Sequence, residues 1–250
     1  MMKIIFIAAG SSTRLGTKTL NFPKGLIKIN NNSIMGIQLD LFKNKKIDNI
    51  IIITGPNADK FNFNNVTYIN DTNHKKHDVL GSLMVAKSHM NNEIVTTYSD
   101  IIFDEKILNS IMEFKGDFGI AVELNWEKRY INRDQHPKSE ADNVIIQNGE
   151  IVKIRKNISE SKDDQIIGEF IGLMKLSKEG AKIFKNKYSE LEKTHIGKFH
   201  NAPSLERAYL TDMLQELINS GLKISPIIIN GNWCEIDTPQ DIEIAKKILK

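Results

Sequence analysis

Residues 3–9, KIIFIAA, are apolar without interruption from Ile4 onward and run straight into Gly10. A strand with one face in water alternates apolar and polar residues. An unbroken run suits a strand buried on both faces, as in a parallel sheet covered by helices. Comparable runs recur at 49–54 (NIIIIT), 66–70, 94–98 (IVTTY) and 118–124. Between them lie segments of helical spacing. Residues 33–45 carry Ile34, Ile37, Leu41 and Phe42 behind a Ser33 cap, and 79–89 and 104–114 follow, the latter with Asp104 as N-cap. This alternation predicts an α/β fold with a doubly wound, mostly parallel sheet.

Beyond residue 124 the pattern changes. Residues 125–141 read as a long charged and aromatic loop. Segments 143–146 and 150–155 flank Asn148-Gly149, a hairpin signal, and 156–164 is polar. A strand at 169–176, helices at 178–191 and 205–220, strands at 223–229 and 233–237 and a helix at 240–249 complete the chain. The expected architecture is a single domain over residues 1–250, a mixed Rossmann-like sheet with a small inserted cap and hairpin at about 125–165. Hydrophobic residues make up 40%, enough for a real core. A net charge of +3 is too weak to argue for a nucleic-acid partner. The apolar runs, such as 4–9 and 50–53, are far short of a membrane span, and residues 1–9 do not read as a secretory signal. Cys234 stands alone, which excludes an intramolecular disulfide and a cysteine-cluster metal site. The expectation is a soluble cytoplasmic protein.

The first chemical signal is Ala8-Ala9-Gly10-Ser11-Ser12-Thr13-Arg14, followed by Pro23-Lys24. A buried strand delivers a turn of small residues at its carboxyl end, where open α/β sheets bind ligands. Ala8, Ala9 and Gly10 allow close approach to the backbone, and the N–H groups of Gly10 to Thr13 can form an anion nest. Arg14 and Lys24 add two cations, which suits a polyphosphate. Neither G-x-G-x-x-G nor the P-loop spacing is present. The bland alternative is a strand-exit turn with two surface cations. Asp100 ends the fourth strand and Asp237 follows the last, so both fall at the ligand edge. Mg²⁺ takes one or two carboxylates plus phosphate oxygens. The alternative for each aspartate is a cap on the segment after it, a role Asp237 could fill at the same time as the metal one.

These motifs resemble the nucleoside-triphosphate transferase superfamily, whose signature is a strand, A-A-G-x-G/S-x-R, and P-K about ten residues later. The likeness extends through Tyr98-Ser99-Asp100 and residues 168–172 to Glu235-Ile236-Asp237-Thr238. Ser12 departs from it, standing where many members have glycine. The resemblance implies that Asp100 and Asp237 bind a catalytic Mg²⁺ with Glu235 in support. It also implies that a phosphorylated acceptor attacks the α-phosphorus of a nucleoside triphosphate and pyrophosphate leaves. An acceptor phosphate whose second pKa is about 6 is already anionic and needs no general base. Lys24 would hold the α-phosphate and Arg14 the departing pyrophosphate.

Gly81-Ser82-Leu83 looks closer to the cytidylyltransferase members than to the sugar-activating ones, which carry a G-T-A type sequence there. Backbone near Ala8 and Gly81, with the Ser82 hydroxyl, would then read cytosine. The loop WEKRYINRDQHPKSEA, residues 126–141, contains Trp126, Tyr130, Arg129, Arg133 and His136. Arginines suit phosphate or phosphonate, and an aromatic ring with Glu169 or Asp212 suits an ammonium. The run Arg133-x-x-His136-Pro137-x-Ser139-Glu140-Ala141 is similar to cytidylyltransferases that activate phosphonates.

The reading is a Mg²⁺-dependent cytidylyltransferase that joins CMP from CTP to a small phosphonate or phospho-acceptor. The candidates are 2-aminoethylphosphonate, 2-hydroxyethylphosphonate, phosphocholine and a phosphorylated amino-acid amide such as phosphoglutamine. Its rivals are a sugar-1-phosphate nucleotidyltransferase using UTP or dTTP, a related glycosyltransferase and a non-catalytic nucleotide-binding module. The C-terminal half is long enough to support a homodimer.

Overall fold

The computed structural model describes residues 2–10 and 22–249. β1 (Met2–Ala8) leads past a one-turn 3-10 helix, Lys24–Leu26, to a small hairpin of β2 (Lys28–Ile29) and β3 (Asn32–Ser33). α1 (Ile34–Phe42) follows, its first turn closed by the Ser33 hydroxyl, which accepts from Gly36 N at 3.0 Å. Then come β4 (Ile47–Thr54), β5 (Thr67–Asn70), α2 (Val79–Val85), β6 (Glu93–Tyr98) and β7 (Ile101–Phe103). α3 (Glu105–Glu113) is capped by Asp104, and β8 (Phe118–Glu123) ends this half. The second half holds β9 (Asp142–Gln147), β10 (Glu150–Lys156), β11 (Ile166–Leu176), α4 (Lys178–Thr194), α5 (Leu210–Asn219), β12 (Ser225–Ile228), β13 (Trp233–Glu235) and α6 (Pro239–Ile248).

The main sheet runs β10-β9-β11-β6-β1-β4-β5, with β8 and then β12 attached to β11. β1 lies between parallel partners β4 and β6, and β5 continues in parallel beyond β4. β11 reverses direction and pairs antiparallel with β6, β8 and β9. The sheet is therefore mixed: a parallel half that opens a ligand edge, joined to a half organised around one long antiparallel strand. Antiparallel pairing is heavier than the apolar runs alone suggest, because β11 is buried on both faces like a parallel strand. Asn148 and Gly149 both adopt positive φ, 53° and 78°, in the turn between β9 and β10. That hairpin is the sheet's own edge, against β11. Gly172, at φ 83°, sits in the irregular stretch of β11; a Cβ there would run into the Tyr98 ring.

Period-two alternation divides the core between the two faces. Ile5, Ile7 and Ala9 join Leu80 of α2, Phe184 of α4 and Leu214 of α5 on one side. Ile4, Phe6 and Ala8 join Met35 of α1 and Leu108 of α3 on the other. A third cluster seats α6 on the β7–β13 pair through Ile102, Cys234, Ile236 and Ala245. Burial pushes the Cys234 thiol up to about 12, so it packs as a small hydrophobe.

Two helices are shorter than their periodicity suggests. The expected helix over 79–89 stops at Val85 and resumes as the 3-10 turn Lys87–His89. The expected helix over 205–220 starts at Leu210, because Leu205 and Ala208 reach the core from turns and imitate helical spacing. Among the described residues no helix is long and apolar enough to cross a membrane.

Candidate active site

The carboxyl ends of the parallel strands open into one cavity of about 640 Å³. Along this edge the order is Asp100 after β6, Ala9-Gly10 after β1, Gly55-Pro56 after β4 and Asp71 after β5. Ala8, Ala9, Gly10 and Ser82 line the cavity, whereas Gly81 lies behind it against His77. Ser11, Ser12, Thr13 and Arg14, expected in the phosphate loop, lie outside the described residues.

Lys24 starts a 3-10 turn after Pro23, and its Nζ donates to Asp100 Oδ2 at 3.2 Å and to Asp237. Burial works against its charge, but Asp100, Asp237 and Glu235 outweigh that and hold its pKa above the ordinary lysine value. Lys24 is thus a fixed cation. Two pieces of local structure deliver the carboxylates. Gln38 of α1 donates from Nε2 to Tyr98 O at 3.0 Å and Ile101 O at 2.6 Å, and Thr97 Oγ1 donates to its Oε1 at 2.8 Å. This fully buried amide pins the turn that carries Asp100. Pairing of β13 with β7 sets Glu235 opposite Ile101, and Ile236 N donates to Asp100 O at 2.8 Å, which brings Glu235 and Asp237 alongside.

His136 arrives from the 126–141 loop. Its Nδ1 lies 3.2 Å from Asp237 Oδ2 and its Nε2 3.5 Å from Glu235 Oε2. Ligand atoms of His136, Glu235 and Asp237 all fall within 4.8 Å of one another. Asp100, the other aspartate expected at a metal, reaches this group through Lys24. Burial, then Asp237 and Asp100, push the Glu235 carboxyl well above the usual range. Negative charge in the site exceeds what Lys24 offsets, and carboxylate oxygens are the donors a Mg²⁺ ion prefers, so the residues present fit that cation.

The other acceptor candidates are placed differently. Arg133 is turned inward: its Nε donates to Asp241 Oδ1 at 2.6 Å and its Nη2 to Glu235 O at 3.1 Å. A fully buried Asp241 carboxylate demands a counter-charge, and Arg133 supplies it. Arg129 pairs with Glu123 at 3.0 Å and reaches Gly231 O at 3.1 Å. Trp126 is buried edge-on to Tyr130, their ring centroids 5.9 Å apart. Asp212 closes the start of α5, accepting from Tyr209 N at 2.9 Å. None of these four lines the cavity. Of the acceptor candidates, His136 lines it, and Glu169 lines a smaller chamber of about 30 Å³ that shares Tyr98, Glu140, Asp142 and Glu235 with it.

In that chamber Asp142 Oδ1, Glu169 Oε2 and Trp233 Nε1 are buried without a hydrogen-bond partner. Asp142 carried no sequence signal, since it stands at the junction of a loop and an edge strand. Gln38 could have been noticed as a polar residue among the buried positions of α1. Burial pushes Asp142 up to about 6, with Lys156 pulling against it. Burial pushes Glu169 up to about 8, although Tyr130 donates to its Oε1 at 2.5 Å.

A raised carboxyl means that the folded chain keeps a proton the unfolded chain has lost. The Glu169 contribution to stability is therefore fully present below about pH 4.5 and is lost as pH rises to about 8. Across that window the slope is about 1.4 kcal/mol per pH unit for this group. Glu169→Gln removes it. Urea unfolding of both proteins at pH 5 and pH 8 should show the wild type losing more stability than the variant; parallel losses would refute the assignment.

Residues 4–144 match the family described as the MobA-like NTP transferase domain. Over an alignment of 254 residues the chain is 26% identical to CTP:phosphoglutamine cytidylyltransferase of Campylobacter jejuni, covering 97% of this chain and 98% of that protein. It is 29% identical over 114 residues to choline-phosphate cytidylyltransferase of Streptococcus pneumoniae, covering 44% of this chain and 50% of that one. The solved structure of CTP:phosphocholine cytidylyltransferase from Streptococcus pneumoniae matches with a TM-score of 0.74 at 19% identity, over 100% of this chain and 99% of that chain. β1, Lys24 and Asp100 thus stand within a family match that spans more than half the chain, with Glu235 and Asp237 beyond it, and the protein belongs to the MobA-like NTP transferase family of nucleotidyltransferases.

Proposed function

We propose that the protein is a Mg²⁺-dependent cytidylyltransferase. It transfers CMP from CTP to a small phosphate or phosphonate acceptor that ends in an amide or amine, and releases pyrophosphate. The observation that carries this is Lys24 bracketed by Asp100 and Asp237 at one wall of the cavity, with Glu235 and His136 alongside. The near full-length similarity to a CTP-dependent enzyme supports the choice of nucleotide.

An acceptor phosphoryl oxygen attacks the α-phosphorus, a new P–O bond forms, and the bond to the β-phosphate breaks. The acceptor oxygen is already anionic, so the obstacle is bringing two anions together. Lys24 orients the α-phosphate and offsets charge as it builds on the equatorial oxygens. Backbone N–H groups after β1, with Arg14, hold the leaving pyrophosphate. Asp100, Glu235 and Asp237 are the residues that would hold Mg²⁺, which when bound supplies positive charge to the phosphate oxygens.

The small chamber favours the acceptor's far end. Asp142 Oδ1 and Trp233 Nε1, both without partners, complement an N–H donor and the carbonyl of a primary amide, and the protonated Glu169 carboxyl beside them has an O–H to offer the same carbonyl. A trimethylammonium group has no N–H to offer the unpartnered Asp142 oxygen. Phosphoglutamine-like acceptors, with 2-aminoethylphosphonate next, therefore fit better than phosphocholine.

The test is pyrophosphate release with Mg²⁺ and CTP or UTP against phosphoglutamine, 2-aminoethylphosphonate, 2-hydroxyethylphosphonate, phosphocholine and glucose-1-phosphate. Release with CTP and an amide or amine acceptor is expected. Release only with glucose-1-phosphate would move the protein to the sugar-activating branch.

A further inference from the structure

One wall of the cavity comes from the segment after β5, where His74, His77, Asp78 and Ser82 line it and Asp71 lies behind them. Asp71 is fully buried there, and its carboxylate gathers three donors. Ser82 Oγ donates to Oδ2 at 2.9 Å, Asn73 N donates to Oδ1 at 3.0 Å, and His77 Nδ1 lies 3.0 Å from both oxygens. The His77 ring rests on Gly81, where a Cβ would come within 2.9 Å of its Cγ. The imidazole is therefore held by its Nδ1 edge and its Cγ, lines the cavity and is only 13% exposed. Its Nε2 has no hydrogen-bond partner among the described residues.

A carboxylate accepts only, so the proton of the neutral ring sits on Nδ1 and Nε2 carries a lone pair. We infer that His77 is the residue that selects cytosine over uracil, with Asp71 as the positioning residue that sets its tautomer. The two bases have the same size and differ along one edge: cytosine has an amino donor at position 4 beside a bare N3 acceptor, uracil a carbonyl acceptor at position 4 beside an N3–H donor, and His77 is set against position 4. Nε2 accepts from the amino group but meets the carbonyl lone pair to lone pair. Ser82, expected to read the base through its hydroxyl, spends its one O–H donor on a hydrogen bond to Asp71.

The placement follows from the sheet. From Asp100 after β6 to Asp71 after β5 is three strand spacings, about 15 Å, the reach of an extended nucleotide. Phosphates near Lys24 and Gly10 then put the base on the β4–β5 side, because β11 and β9 supply the acceptor chamber on the other side. The inference rests on the proposed reading of this cavity as a nucleoside-triphosphate site.

The experiment compares kcat/KM for CTP and UTP. It uses the wild type, His77→Leu, His77→Gln and Asp71→Asn, with thermal melts to establish folding. The wild type should favour CTP by 100-fold or more. Both His77 variants should bring the ratio within about threefold of unity. Asp71→Asn, whose side chain can donate to Nδ1 and so move the ring proton to Nε2, should lower or invert the preference although Asp71 never touches the base. A folded His77 variant that keeps the wild-type ratio overturns the inference. So does a wild type that uses CTP and UTP equally, which leaves the nucleotidyltransferase reading intact. A wild type that uses neither nucleotide with any acceptor overturns that reading, and this inference with it.

Discussion

Replacing Lys24 with methionine is expected to lower kcat by roughly 1,000-fold, about 4 kcal/mol of transition-state stabilisation, while the KM for CTP changes far less. The reason is the geometry of its charge. Lys24 Nζ is already held by Asp100 at 3.2 Å and by Asp237, so no rotamer has to be ordered when phosphate arrives. Those carboxylates keep its pKa above the ordinary lysine value, so the residue stays cationic throughout the assay range and moves no proton. The kcat profile should therefore show no loss on the alkaline side attributable to this group up to about pH 10. Arginine should rescue poorly, because a planar guanidinium cannot point one charge between two carboxylates. Steady-state kinetics at saturating Mg²⁺ and acceptor provide the measurement, and a Lys24→Met enzyme with a third of wild-type kcat would remove Lys24 from the reaction.

Arg133→Ala is expected to have the largest effect on stability, a loss of about 3–5 kcal/mol. The substitution leaves Asp241 buried with its charge unmatched. Asp241 also accepts from Asp237 N at 3.0 Å and from Thr238 N and Thr238 Oγ1 at 2.8 Å, so the start of α6 depends on it. Burial raises the Asp241 pKa, but the hydrogen bond and charge of Arg133 win and leave it below the usual aspartate value. A depressed carboxyl contributes stability above its unfolded pKa near 3.8 and loses that contribution only in more acid solution, so the effect is full at neutral pH. At this chain length the melting temperature should fall by roughly 10 °C. The double variant Arg133→Ala with Asp241→Ala should be less destabilised than the sum of the two single changes. A loss under 1 kcal/mol for Arg133→Ala would contradict the buried-pair account. Because Asp237 begins the same turn, activity should fall with stability, unlike the selective effect on acceptor KM expected of a binding arginine.

What could be read from residues in order was local. The apolar run ending in Gly10, the Ser33 and Asp104 caps, the Asn148-Gly149 turn and the positions of Asp100 and Asp237 at strand ends all follow from short-range rules. Burial on both faces, capping geometry and the handedness of a tight turn are each set within a few residues. Long-range pairing then brings distant residues together: Lys24 and Asp237 meet across 213 positions because β13 pairs antiparallel with β7 beside the carboxyl end of β6. The tertiary structure alone decided which charges are available to a ligand. Arg133 and Asp241 lie 108 positions apart, and nothing local announces that one neutralises the other. In the same way, only packing shows that Ser82 and His77 converge on Asp71, that Gln38 braces the Asp100 turn, and that Asp142 and Glu169 face a small chamber with oxygens unpaired. A charged side chain in sequence is only a capacity for electrostatics. Whether that capacity serves the fold or the ligand depends on the partner that desolvation forces upon it, and the partner is chosen in three dimensions.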